Sequence, residues 1–260
     1  MTAAPLLSCN GLTMKFGGLL ALDALDFSIG RDEIVGLVGP NGSGKTTFFN
    51  VVTGLYRPSA GAISFDGADL FAKSPQKVAA AGIARTFQRS RLLLDQTVFD
   101  NVMVGAVRNL NLGFAANVLF RRSWRGELDT MIDRVADLAR RFNPAIARRL
   151  FEPVGSFTMI DRRRIEICRA LIGAPRLLLL DEPSAGMTHE ETFRLMDDVV
   201  AAREEIPGLA IVLVEHEMNV IRRVSDRCVV LNFGRKIYEG NFDGLIADQK
   251  VQEAYLGQAA

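Results

Sequence analysis

Hydrophobic and polar positions along the chain fall into two rhythms. Three short runs are apolar without interruption: IVGLV (34–38), LLLL (177–180) and IVLV (211–214). Strands buried on both faces read this way. Helical stretches separate them, so they predict a parallel sheet inside an α/β core. The first sixty-odd residues alternate instead. ALDALDFSI (21–29) sets Leu22, Ala24, Asp26 and Ser28 on one face and Asp23, Leu25, Phe27 and Ile29 on the other. AISFDGADL (62–70) reads as a strand, an Asp-Gly turn and a continuation. An antiparallel β subdomain is expected at this end of the chain.

The middle follows a helical period. ELDTMIDRVADLARRF (127–142) carries Leu128, Met131, Ile132, Val135, Leu138 and Phe142 at helical spacing. Before it, NLNLGFAANVLFRRSWRG (109–126) contains Gly and Asn, is partly basic, and reads as a loop with a short helix. Residues from about 90 to 160 therefore form a mostly helical insertion. Residues from about 1 to 89 and 161 to 260 form the core with its β subdomain, the whole chain being one domain. No internal repeat interrupts this, and little chain follows YEG (238–240) to build a regulatory domain.

Charge and cysteine content narrow the function classes. The 31 basic and 30 acidic residues nearly cancel, so no bulk field draws the chain to nucleic acid or anionic lipid. Cys9, Cys168 and Cys228 lie far apart without metal-ligand spacing, as reduced thiols of a cytosolic protein do. Cys168 falls on the apolar side of a predicted helix. MTAAPLLSCNG has neither a basic region nor a long apolar stretch, so no signal peptide is expected. No run approaches the roughly 20 apolar residues of a spanning helix. A soluble chain is expected, reaching a membrane only through a partner.

The chemistry enters with GPNGSGKT (39–46), which matches G-x-x-x-x-G-K-[ST]. It follows the apolar run ending at Val38 and precedes the helical TTFFNVVTGL, the strand–loop–helix context of a phosphate-binding P-loop. Gly39, Gly42 and Gly44 let the backbone curl with its N–H groups inward, while Pro40, Asn41, Ser43 and Thr47 complete the cradle. Lys45 supplies a point charge for the β- and γ-phosphates, and Thr46 a hydroxyl for Mg²⁺. RLLLLDEP (176–183) is a buried strand ending in two acids. Asp181 suits the magnesium shell, and Glu182 suits orienting or deprotonating a water. A P-loop NTPase core with a parallel sheet is thus expected.

At this point the sequence resembles the nucleotide-binding subunit of ATP-binding-cassette transporters, in order and over nearly its whole length. The resemblance implies that Phe16, in KFGG, stacks on adenine. It implies that Gln88, in ARTFQRS, senses magnesium, the attacking water and the transmembrane partner, and that His216, in VLVEHEM, contacts the γ-phosphate. ARTFQ, TVFDNVMVG (97–105), RRRIEICRAL, EPSAGM and AYLG look most like subunits of importers for branched-chain amino acids, although similar cassettes serve urea and lipopolysaccharide export. This implies ATP and Mg²⁺ as ligands. It implies as partners a second cassette subunit, two transmembrane permease subunits and, indirectly, a periplasmic solute-binding protein. The expected location is the inner face of the cell membrane. A soluble ATPase acting on nucleic acid or ribosomes would want a basic surface, a coiled-coil insertion or a second cassette. A cassette holding ATP only as a regulatory ligand would not need Glu182 and His216.

One stretch departs from the family. Its LSGGQ signature, which acts on ATP bound to the opposite subunit, falls here on Phe157, Thr158, Met159, Ile160 and Asp161. Thr158 keeps a hydroxyl, and Thr158-x-x-Asp161 reads as a capping box for a helix that buries Ile165, Cys168, Leu171 and Ile172. Ile160 replaces a glycine where backbone would approach nucleotide. Asp161 would bring negative charge toward phosphate. Thr188 stands where the family tends to carry Asp or Asn. A heterodimer with unequal ATP sites is the expectation. Arg162 to Arg164 and the residues Arg121, Arg122 and Arg125 around Trp124, the single tryptophan, read as solvated basic faces.

Overall fold

The computed structural model of the chain describes residues 4–88, 91–106 and 121–256. The three uninterrupted runs become β3 (Ile34–Val38), β7 (Leu177–Asp181) and β8 (Ala210–Val214), with every residue buried. Together with β6 (Ile83–Arg85), β9 (Arg227–Asn232) and β10 (Arg235–Gly240) they form a six-stranded sheet in the order β10-β9-β3-β8-β7-β6. All neighbours run parallel except β9 and β10. Ile34, Leu178, Leu180 and Ile211 enter the core on the sheet's helical face. Val35, Leu37, Leu179 and Val212 enter a second core on the other face. Burial on both faces is why no polar residue punctuates these strands.

The second core is closed by a four-stranded antiparallel sheet. It consists of β1 (Leu7–Phe16), β2 (Leu19–Ile29), β4 (Ala60–Phe65) and β5 (Ala68–Asp69), in the order β2-β1-β4-β5. Asp66 and Gly67 make the expected turn, both with positive φ (51° and 77°). β2 departs from simple alternation. Ala24 is left-handed (φ 48°), and the register against β1 shifts there. Leu22 and Leu25 are consequently both buried, although strict alternation puts them on opposite faces.

Helix α1 (Lys45–Val52) follows β3, and α2 (Pro75–Ala81) leads into β6. Between β6 and β7 lie α3 (Val98–Ala106), α4 (Arg121–Phe142), α5 (Pro144–Ala147), a 3₁₀ turn (Val154–Ser156) and α6 (Met159–Leu171). α4 starts earlier than its periodic segment, so RRSWRG, the end of the stretch read as a loop with a short helix, is helical and continuous with it. Residues 109–120 of the expected loop lie outside the described residues. Met131, Val135 and Phe142 of α4 pack with Val98 and Val102 of α3 and with Ile165 and Cys168 of α6. A Cβ on Gly105 would lie 1.8 Å from the Arg169 carbonyl oxygen, so α3 and α6 meet backbone to backbone. The chain continues through α7 (His189–Glu205), α8 (Met218–Val224), α9 (Phe242–Ala247) and α10 (Gln249–Leu256). Among the described residues no helix is long and apolar enough to cross a membrane.

Candidate active site

The P-loop curls around its own lysine. Lys45 Nζ donates to the carbonyls of Gly39 (2.6 Å) and Pro40 (2.9 Å) and lies 3.5 Å from Ser43 Oγ. Two glycines are required by contact as well as by φ. A Cβ on Gly39 (φ 150°) would meet Leu231 O at 2.2 Å, and one on Gly44 (φ 109°) would meet Ala21 O at 2.7 Å. Burial pulls the Lys45 pKa below its ordinary value, and the carboxylates of Glu182 and Asp181 oppose that. Thr46 is exposed at the start of α1 and Thr47 is half-buried beside it. Phe16 ends β1, 42% exposed, with its ring edge-to-face on Tyr56 at a centroid distance of 5.3 Å.

Three strand ends converge beyond the loop. Glu182 follows β7 in a left-handed conformation (φ 48°). Its Oε1 lies 2.7 Å from Nε2 of His216, just past β8, and its Oε2 accepts from Gln88 Nε2 at 2.5 Å. A carboxylate only accepts here, so Nε2 of His216 carries the hydrogen. The structure thus gathers Gln88, Glu182 and His216, residues 34 and 94 positions apart, into one hydrogen-bonded row. Asp181, the last residue of β7, is buried and accepts at Oδ2 from Arg85 Nη2 (2.7 Å). Arg85 also donates to Asn50 Oδ1 on α1 (2.6 Å). Sequence reasoning passed over Arg85, whose pairing with Asp181 depends on β6 lying beside β7 in the sheet. It also passed over Glu215, which is buried and accepts at Oε1 from the Ser184 N–H (3.0 Å) and hydroxyl (2.7 Å). Burial pushes the Glu215 pKa up, and the Ser184 hydrogen bonds restrain it.

The FTMID stretch starts α6 as the capping pattern predicts. Thr158 Oγ1 accepts from the Asp161 N–H at 3.3 Å and donates to Asp161 Oδ2 at 3.0 Å. Two expectations are corrected. Asp161 does not present an open charge: Asn143 Nδ2 (2.9 Å) and Arg164 Nη1 (3.0 Å) both hold Oδ1. Ile160 is 9% exposed and packs inward, and the side chain standing out is Met159 at 49%. Nor are Arg162 to Arg164 a solvated face. Arg162 donates to Gly155 O (2.6 Å), and Arg163 is buried against Glu166 (2.7 Å) and donates to Gln88 O (3.1 Å). Arg164 also bonds Asp198 of α7 at 2.8 Å. Thr188 forms a complete capping box with Glu191 at the start of α7. The side chains of Arg121, Arg122, Trp124 and Arg125 lie outside the described residues.

Beside the row lies a groove of about 510 Å³ whose wall includes Thr53, Arg85, Phe87, Val104, Glu166 and Arg169. Among the described residues no three His, Cys, Asp or Glu side chains cluster as a metal cage. The oxygens that the resemblance assigns to magnesium are those of a hydroxyl (Thr46), an amide (Gln88) and one carboxylate (Asp181). These hard oxygens suit magnesium, which keeps several waters and shares phosphate oxygens.

The model of the family described as ABC transporter matches residues 22–185. The chain is 37% identical over 255 residues to the high-affinity branched-chain amino acid transport ATP-binding protein LivG of Escherichia coli (strain K12), spanning 98% of this chain and 99% of that protein. It is 34% identical over 255 residues to the protein of the same description, BraF, from Pseudomonas aeruginosa, with the same coverage. Among solved structures it is similar to the ADP conformation of an ATP-binding cassette of an ABC transporter. That match has a TM-score of 0.84 and 26% identity over 98% of this chain and 100% of that one. A nucleotide-free cassette matches with a TM-score of 0.82 and 26% identity, over 97% of this chain and 99% of that one.

Proposed function

The chain belongs to the ABC transporter family, in which it is an ATP-hydrolysing subunit, and we propose that it energises an importer for branched-chain amino acids or similar small polar solutes. Near-complete coverage of the branched-chain amino acid transport proteins supports that cargo class. The observation that carries the catalytic reading is the row Gln88–Glu182–His216 at the mouth of the P-loop.

Phe16 stacks on the adenine. The loop N–H groups from Gly39 to Thr47, the α1 N-terminus and Lys45 hold the phosphates. Thr46, Asp181 and Gln88 would hold magnesium, which would supply charge neutralisation when bound. Glu182 positions the attacking water and takes its proton. The water oxygen bonds to the γ-phosphorus as the bond to the bridging oxygen of ADP breaks. His216 steadies the γ-phosphate. Little covalent chemistry falls to the protein, whose contribution is placed charge. Glu182→Gln should keep nucleotide affinity within about three-fold and lower turnover by roughly 100-fold or more. Turnover within about three-fold of wild type removes Glu182 from the mechanism.

The subunit works at the cytoplasmic face of the membrane with a second cassette and two permease subunits, one of which seats in the groove beside Arg85 and Phe87. A periplasmic binding protein delivers the cargo. Residues from about 90 to 160 act as a helical arm and the remainder as the core. The signature stretch favours a heterodimer: Thr158 and Asp161 are engaged with each other, and Met159 projects where the family places glycine. Steady-state hydrolysis of the chain alone, across protein concentration, tests this against Met159→Gly/Ile160→Gly. Brisk turnover by the unmodified chain as a homodimer sinks the asymmetric reading.

A further inference from the structure

Arg85 holds a carboxylate that the proposed reading gives to magnesium. Its side chain is 5% exposed, with one end of the guanidinium on Asp181 Oδ2 at 2.7 Å and the other on Asn50 Oδ1 at 2.6 Å. The rings of Phe49 and Phe87 lie 5.3 and 5.1 Å from it, and its Nε is buried without a partner. Burying such a pair costs desolvation that its attraction barely offsets, so stability alone is a poor reason to keep it. Its placement has a chemical consequence instead. Asp181 is paired with Arg85 and also interacts electrostatically with Lys45. Arg85 takes a lone pair of Oδ2, so Oδ1 is the less encumbered oxygen for a metal or its water. A guanidinium at this distance also repels a dication bound to the same carboxylate.

We propose that Arg85 is a positioning residue: it fixes Asp181 so that one oxygen faces magnesium, and it holds metal affinity down so that the ion can leave with each product. This rests on the assignment of Asp181 to magnesium. Removing the guanidinium has two effects of one sign. The metal-free site is left with an unpaired buried carboxylate, and the metal-bound site loses a repulsion. Both tighten metal binding, while the loosened carboxylate slows the chemistry.

The test titrates Mg²⁺ into the full chain carrying a fluorescent ATP analogue, starting in EDTA, and reads half-saturation separately from turnover. For Arg85→Met we expect metal-free nucleotide binding within about two-fold of wild type, half-saturation at roughly five-fold less Mg²⁺, and turnover lowered roughly ten-fold. Half-saturation unchanged or raised, with metal-free binding intact, overturns the proposal. Arg85→Lys keeps the charge but reaches only one of its two partners, and it carries the test should the methionine variant not fold. It should leave half-saturation within about two-fold and still slow turnover, and a shift of about five-fold there is equally fatal. Asp181→Asn separates the premises. If it leaves Mg²⁺ half-saturation unmoved, the magnesium assignment itself fails; if it moves half-saturation and Arg85→Met does not, only the role of Arg85 fails.

Discussion

Asp161→Ala is expected to destabilise the chain through the start of α6 rather than to relieve a charge at a phosphate. The carboxylate accepts from Thr158 Oγ1 at 3.0 Å, from Asn143 Nδ2 at 2.9 Å and from Arg164 Nη1 at 3.0 Å, with its side chain 16% exposed. Losing an acid in the first turn of a helix costs about 0.5 kcal/mol. Leaving a half-buried amide and one side of a guanidinium short of an acceptor costs about 1–2 kcal/mol more for each. Arg164 keeps Asp198 at 2.8 Å, which lowers its share. The terms share partners and do not add in full, so about 2–3 kcal/mol is expected. In a chain of this length that lowers the thermal midpoint by roughly 4–12 °C. Thermal unfolding followed by circular dichroism measures it, with Thr158→Ala, expected at about 1 kcal/mol, as a reference. A midpoint within about 1 °C of wild type would mean that the three contacts contribute nothing and that Asp161 faces outward after all.

Three further outcomes follow from features outside the catalytic row. Gly105→Ala forces a Cβ to 1.8 Å from the Arg169 carbonyl and should cost about 3 kcal/mol or more, read as a lowered urea midpoint; a near-neutral result would show that α3 and α6 separate easily. Burial raises the thiol pKa of Cys9 to about 12 and of Cys228 to about 11, and pushes Cys168 higher. At pH 8 roughly a thousandth or less of each is thiolate, so a thiol reagent should find none of the three in the native chain and all three in denaturant. Glu215, raised above its ordinary 4.5 by burial, binds more protons folded than unfolded, so its contribution is present below 4.5 and is lost as pH rises through the raised value. Glu215→Gln removes this slope, and its stability relative to wild type should improve from pH 4.5 toward neutrality; parallel urea midpoints at every pH would contradict it.

What the sequence made legible is what local pattern encodes. IVGLV, LLLL and IVLV are strands because no polar residue could survive at either face. GPNGSGKT was readable because its glycines, lysine and threonine act within eight residues of one another. Thr158 and Asp161 were readable as a cap for the same reason. Arg85 was not, because its partner is 96 positions away and nothing beside it announces a buried acid. Asp161 was misjudged in the same way: its compensation comes from Asn143 and Arg164, one of them 18 residues upstream on another element. Arg162 to Arg164 read as solvated because a run of charge usually is; Glu166 and Asp161 are local partners at i,i+3, but Asp198 and the Gln88 carbonyl come from tertiary packing. The slip in β2 turns on Ala24, a residue with no sequence mark of left-handed backbone.

The row at the strand ends has a bearing on aim. Both oxygens of Glu182 are occupied, one by the Gln88 amide and the other by the His216 ring. Each oxygen keeps a second lone pair, so the two contacts fix the carboxylate's orientation and still leave it able to accept a proton. Gln88 and His216 therefore set the plane of the Glu182 side chain from two sides, by contacts drawn from two other strand ends.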